Sequence, residues 1–162
     1  MPAKPRKQLE AASWLAVVRA YQACNRRYAR LLEAFGLTVT QFDVLTAVRA
    51  LGPEAVPGAI ADQLVVTRGN VTGVLHRLQE HGLLTTRAHA RDGRSFICQL
   101  TPKGETLLLR ARTAAAAFIE EQLAPFDDAE LEYTRQQMER MREHLGSIDP
   151  EAIIRRTVSR PS

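Results

Sequence analysis

The sequence predicts a mainly α protein with one small β-hairpin, arranged as a winged helix-turn-helix lobe embedded between long helices. Two of the three observations behind this lie within residues 67–100, TRGNVTGVLHRLQEHGLLTTRAHARDGRSFICQL. In its first half, Val71, Val74, Leu75 and Leu78 fall at i, i+3, i+4 and i+7, one narrow stripe of a helix. In its second half, Phe96, Cys98 and Leu100 alternate with Ser95, Ile97 and Gln99, the period of a half-buried strand. Third, long runs of apolar residues at three- and four-residue steps flank this stretch, one before it and two after.

Taken in order, residues 1–8 are rich in Pro, Lys and Arg and are expected to be an unstructured basic end. Residues 9–35 form a long helix with Trp14, Val17, Val18, Tyr21, Cys24, Tyr28, Leu31, Leu32 and Phe35 on its apolar stripe. Gly36 ends it. Thr38 or Thr40 can cap the next helix, residues 41–51, and Gly52-Pro53 is a firm break. Pro57 suits the first turn of a short helix to about Leu64, whose Ile60 and Leu64 would pack on Leu45 and Val48. Val65-Val66 is then the turn into the next helix, and residues 57–82 make the helix-turn-helix. Thr67 is a candidate N-cap and Gly82 a candidate C′ stop.

Residues 84–88 can form the partner strand, with Arg91-Asp92-Gly93-Arg94 as the turn. Thr101 and Pro102 start a helix that runs to about Leu123, and its Ala114-to-Ala117 run lets a neighbouring helix approach closely. After Pro125, Asp127 with Glu130 gives a capping-box start to a last long helix. There Leu131, Met138, Met141 and Leu145 form a narrow seam, which suits helix-on-helix packing better than a wide core. The basic tail, residues 147–162, carries Ile148, Ile153, Ile154 and Val158 and either adds a final turn or stays free.

Composition narrows the function. A length of 162 residues, 45% hydrophobic and 6% aromatic, fits one domain with a mainly aliphatic core. The net charge of +4 favours an acidic partner without requiring one, because the basic residues are scattered. Cys24 and Cys98 have no metal-ligand spacing, and His76, His81, His89 and His144 form no HExxH-like cluster, so neither metal nor cofactor is expected. No nucleophile converges with an acid/base pair, which argues against an enzyme. The N-terminal MPAKPRKQ lacks a signal-peptide core and no apolar run approaches the ~20 residues that span a bilayer, so a cytoplasmic protein without a membrane partner is expected.

The side of the 67–82 helix opposite its stripe carries Gly69, Gly73 and His76, flanked by Asn70, Thr72 and Arg77. Two exposed glycines cost a helix roughly 1 kcal/mol each, so something should approach the backbone there, and a DNA groove fits. Asn70, Thr72, His76 and Arg77 are the candidates for base-edge or nearby phosphate contacts. Thr67 and Arg68, at the helix N-terminus, suit phosphate binding. A basic hairpin that follows such a helix would reach an adjacent minor groove. The rival readings are a winged-helix protein-docking module and a non-specific architectural DNA binder.

Four segments in order, GLTVTQFDVL (36–45), VTRGNVTGVLHRLQEHGLL (66–84), RDGRS (91–95) and LTPKGETLL (100–108), make the chain resemble the MarR family of bacterial transcription regulators over residues 14–145. The resemblance implies a single domain, with the winged helix-turn-helix at about 37–101 and dimerisation helices at about 9–35 and 102–146. It implies a homodimeric repressor whose two recognition helices meet successive major grooves of a pseudo-palindromic operator, ~10 base pairs apart. It also implies that Asp92 holds Arg94 and that Arg91 or Arg94 enters the minor groove. Gly93 departs from the family's usual middle arginine. Relatives commonly release DNA on binding a small aromatic or anionic effector, and by that analogy Trp14, Tyr21 and Asp43 could line a pocket. Trp14 and Asp43 are similar to the pair in the urate-responsive branch, though Thr86 stands where that branch has arginine. Peroxide-sensing relatives carry a cysteine nearer the position of Trp14 than of Cys24. Cys24, on the apolar stripe of the first helix, reads as a small hydrophobe, and redox sensing is the alternative function.

Overall fold

A computed structural model describes residues 5–88 and 96–158, with the side chain of Arg68 outside the described atoms. The chain divides into two bodies, Met1–Phe118 and Ile119–Ser162. The first holds α1 (Arg6–Glu33), α2 (Val39–Leu51), α3 (Pro57–Leu64), α4 (Arg68–Glu80), the strands β1 (Leu84–Ala88) and β2 (Phe96–Leu100), and α5 (Pro102–Leu123) as far as Phe118. The second holds the end of α5, then α6 (Asp128–Leu145) and α7 (Pro150–Val158).

The core of the first body is aliphatic, as the low aromatic content requires. Leu32, Val44, Leu45, Ile60, Leu78 and Leu108 are fully buried, each from a helix with one apolar side turned inward. Burying a leucine-sized side chain contributes about 1.5–3 kcal/mol relative to leaving it exposed, so these six outweigh every surface contact described below. β1 and β2 pair antiparallel from Leu84↔Leu100 to Ala88↔Phe96. On the free edge of β2, the Cys98 N–H donates to the Ala55 carbonyl at 2.8 Å, which ties the hairpin to the segment after α2.

Helix starts follow the sequence closely. Thr38 Oγ1 accepts from the Gln41 N–H at 3.2 Å, and Gln41 Oε1 accepts from the Thr38 N–H at 2.9 Å. This reciprocal cap begins α2 two residues before the expected position 41. Asp127 and Glu130 make the same box at α6, at 2.8 and 3.1 Å. Gly82 adopts φ 67, with Gly82 N–H on the Gln79 carbonyl and Leu83 N–H on that of Leu78. These two bonds form a Schellman stop for α4.

Several expectations need correction. Residues 6–8 are helical; α1 starts at Arg6, behind Pro5 with its fixed φ, and Arg6 pairs with Glu10 one turn on. The apolar stripe of α1 is buried only near its end, at Leu32, while Trp14 and Tyr21 are 65% and 68% exposed. The core cluster takes in Leu32 at the end of α1, with Tyr28 packed against it, and the earlier turns of the stripe lie outside that cluster. Alternation fails in β2: Ile97 and Cys98 are both buried and Phe96 is exposed. Successive side chains point to opposite faces of the hairpin, so both faces are covered at that point. Cys98 belongs to the main core and Ile97 lies outside that cluster. Of the two alternatives for the tail, the added turn holds and extends to a nine-residue helix, α7, capped by Asp149 Oδ1, which accepts from the N–H groups of Glu151 and Ala152.

Candidate nucleic-acid interface

The four residues expected to anchor α4 do so. Val71, Val74, Leu75 and Leu78 are 1%, 7%, 2% and 0% exposed, which fixes the opposite face outward. Along that face a Cβ at Gly69 would meet nothing within 4 Å, and one at Gly73 would meet only Arg77 Nη2, at 3.8 Å. The backbone of α4 is therefore open to close approach over more than one turn. Thr67 holds the N-cap position in extended geometry, yet its side chain makes no capping hydrogen bond. Asn70, Thr72, His76 and Arg77 are exposed.

Arg77 and His76 each contact a residue of the same helix. Arg77 folds back, its Nε–H donating to the Gly73 carbonyl at 3.1 Å. His76 Nδ1 lies 3.5 Å from the Glu80 carboxylate, with both groups well exposed. Exposed contacts of this kind are worth well under 1 kcal/mol, so both side chains are free to turn toward a ligand. A shallow cleft lined by Thr38, Thr40, Gly69, Asn70, Gly73 and Arg77 joins this face to the start of α2. Sequence reading assigned Thr38 and Thr40 only to capping, because nothing local signals that α2 begins beside α4. Arg91, Asp92 and Arg94 lie outside the described residues, as does the side chain of Arg68.

The far end of α4 is fastened to α5. The Thr101 N–H donates to the Leu83 carbonyl at 3.1 Å, and its hydroxyl donates to that of Gly82 at 2.7 Å. The same hydroxyl accepts from the Gly104 N–H at 3.0 Å, and Lys103 Nζ donates to the His81 carbonyl at 2.8 Å. Gly104 has to be glycine, since a Cβ there would overlap the Leu83 carbonyl oxygen.

Of the residues expected to line an effector pocket, Trp14 and Tyr21 are exposed and Asp43 is half-buried. Burial pushes the Asp43 carboxyl above its ordinary value. The Tyr28 phenol is also raised, first by burial and then by the nearby Asp43 charge. Tyr28 meets Phe42 edge-on at 6.1 Å and Phe118 at 5.5 Å. Periodicity alone gave Tyr28 a core role, so its closeness to Asp43 went unread. Burial pushes the Cys98 thiol to about 11, leaving it almost wholly protonated at neutral pH, and Cys24 is half-buried. Among the described residues there is no cluster able to hold a metal ion, and no helix is long and apolar enough to cross a membrane.

A three-helix lobe whose last helix is bare outward and apolar inward, followed by a two-stranded wing, defines a winged helix-turn-helix DNA-binding module. The MarR family model matches residues 35–95. An uncharacterised helix-turn-helix-type transcriptional regulator of Bacillus cereus is 32% identical over 115 residues, 71% of this chain and 74% of its own. The fold is shared with an organohalide-sensing transcriptional regulator solved with 2,4-dichlorophenol bound, at a TM-score of 0.76 and 18% identity, covering 89% of this chain and 87% of that one. It is shared too with MepR of S. aureus in complex with DNA, at a TM-score of 0.74 and 21% identity, covering 84% and 97%. The chain belongs to the MarR family, and it is a DNA-binding transcription regulator.

Proposed function

We propose that the protein is a homodimeric, ligand-responsive repressor of a pseudo-palindromic operator, acting in the cytoplasm by binding and not by catalysis. The carrying observation is the outer face of α4, cleared of side-chain bulk at Gly69 and Gly73 while its inner face is locked into the core. Asn70, Thr72, His76 and Arg77 read base edges from that face, and Thr67 and Arg68 hold phosphate at the helix N-terminus. Arg91 and Arg94 contribute from the wing, with Asp92 holding Arg94. A second copy supplies the matching half-site, joined through the seam Leu131, Met138, Met141 and Leu145, which is half-exposed to exposed in the single chain.

The effector reading rests on Asp43, a desolvated carboxyl beside Tyr28. Thr46, one turn further on α2, has a buried hydroxyl without a partner among the described residues. A carboxyl beside the Tyr28 ring and an unpartnered hydroxyl one turn away suit a small aromatic compound that carries a hydrogen-bond donor, with Trp14 and Tyr21 contributing from α1. The dichlorophenol bound by the organohalide-sensing regulator is of that class. The test begins by selecting an operator from random DNA. Arg77→Ala and Arg94→Ala should each weaken binding to it by roughly 1–3 kcal/mol. Two variants that bind as tightly as wild type would sink the docking scheme.

A further inference from the structure

The turn between α3 and α4 holds a residue that the rest of the fold does not explain. Val65 caps α3 in the left-handed region, at φ 55 and ψ 45. That region is costly for any residue with a Cβ, and a β-branched residue there is an outlier. The backbone needs the conformation, because it lets the Val66 N–H reach back to the Ala61 carbonyl at 3.1 Å, the longer bond of a Schellman stop whose shorter one runs from the Val65 N–H to the Asp62 carbonyl at 3.3 Å. The side chain does not need to be there, since glycine would end the helix without strain. Nor does it pack on this chain: Val65 is 91% exposed, and Val66 beside it is exposed as well. A shallow cleft lined by Ala61, Asp62, Val65, Val66, Thr67 and Asn70 makes this apolar pair continuous with the outer face of α4. Strain held at a residue with no internal task points to an external one.

We infer that Val65, supported by Val66, is a specificity-determining contact that reads a thymine C5-methyl group at the edge of the major groove. The inference rests on the proposed operator-reading role of α4. Thymine alone among the four bases presents a methyl group in that groove. A valine side chain has no donor or acceptor for phosphate or for the polar base edges, so the methyl group is the base feature it matches. Its place beside Thr67 and Asn70 puts it next to the polar groups assigned to the same half-site.

The experiment uses the full-length protein and a selected operator, synthesised once with thymine and once with uracil in its place. Affinities are measured for wild type, Val65→Gly, Val65→Asn and Arg77→Ala. Glycine and asparagine both accept the left-handed region, so a thermal melt at or above that of wild type shows either variant to be folded. Wild type should prefer the thymine operator by about fourfold or more, the scale of one buried methyl group. Both Val65 variants should lose most of that preference and bind the uracil operator as wild type does. An unchanged thymine preference in both variants, with Arg77→Ala weakened, overturns the methyl contact alone. If Arg77→Ala also binds as wild type, the operator-reading role of α4 falls with it.

Discussion

Half-burial makes Asp43 a liability that pH can expose. Its carboxyl titrates above the ordinary value of 3.8 because burial disfavours the charged form. Between the unfolded and folded values the native state holds the extra proton, so its stability falls as pH rises through that window. Above the window the penalty is constant. Asp43→Asn should therefore melt higher than wild type at neutral pH, and the gain should vanish on acidification below the ordinary carboxylate range. A lower melting temperature at neutral pH would mean that the carboxylate is stabilised by a partner. At this scale the sequence was legible wherever residue type and helical period agree: Val71, Val74, Leu75 and Leu78 sorted the face of α4 without any tertiary information. Val65 was not legible. Residue type signals a left-handed backbone through Gly or Asn, and a valine there conceals it.

Between elements, the join of α4 to α5 decides how firmly the recognition helix is held. Arg49 and Glu105 also link α2 to α5, at 2.7 Å, but both are near half-exposed and such a pair contributes little. The close approach of Gly104 to Leu83 is another matter, because a Cβ would meet backbone and not a flexible side chain. Gly104→Ala should cost about 1–3 kcal/mol through overpacking, measured by denaturant unfolding, whereas Glu105→Ala should cost well under 1 kcal/mol. Equal losses would show that the join is not the governing contact. The helix start at Asp127 was readable because its capping box is complete within four residues, whereas at α2 Thr40 competes with Thr38 as the cap and the expected start falls two residues late. The need for glycine at position 104 was not readable, since Leu83 lies 21 positions away and only the folded lobe brings the two together. The strand β2 misled for a related reason. Alternation assumes one dry face, and here both faces are covered at Ile97 and Cys98.

For the molecule as a whole, the apolar surface left open by one chain is the strongest statement about its assembly. Met138, Met141 and Leu145 are exposed along α6, and Trp14 and Tyr21 along α1. Replacing Leu131 and Met138 by Asp together would place charge in the proposed subunit interface at a cost of several kcal/mol. Analytical ultracentrifugation should then find a monomer or an unfolded chain, with specific DNA affinity largely lost. A folded monomer that still protects a full palindrome would refute the assembly. The bare face of α4 has a consequence of a different kind. Gly69 and Gly73 remove helix propensity, roughly 1 kcal/mol each, from the element proposed to enter the groove. Its first turns should thus open to hydrogen exchange more often than the lobe beneath them. Operator DNA seated on α4 should close that opening, so complex formation should include an ordering step: an entropic loss offset by enthalpy, and a heat-capacity change larger than rigid docking of the same area would give. The clearance proposed to let DNA approach the backbone should also give binding the calorimetric signature of partial folding.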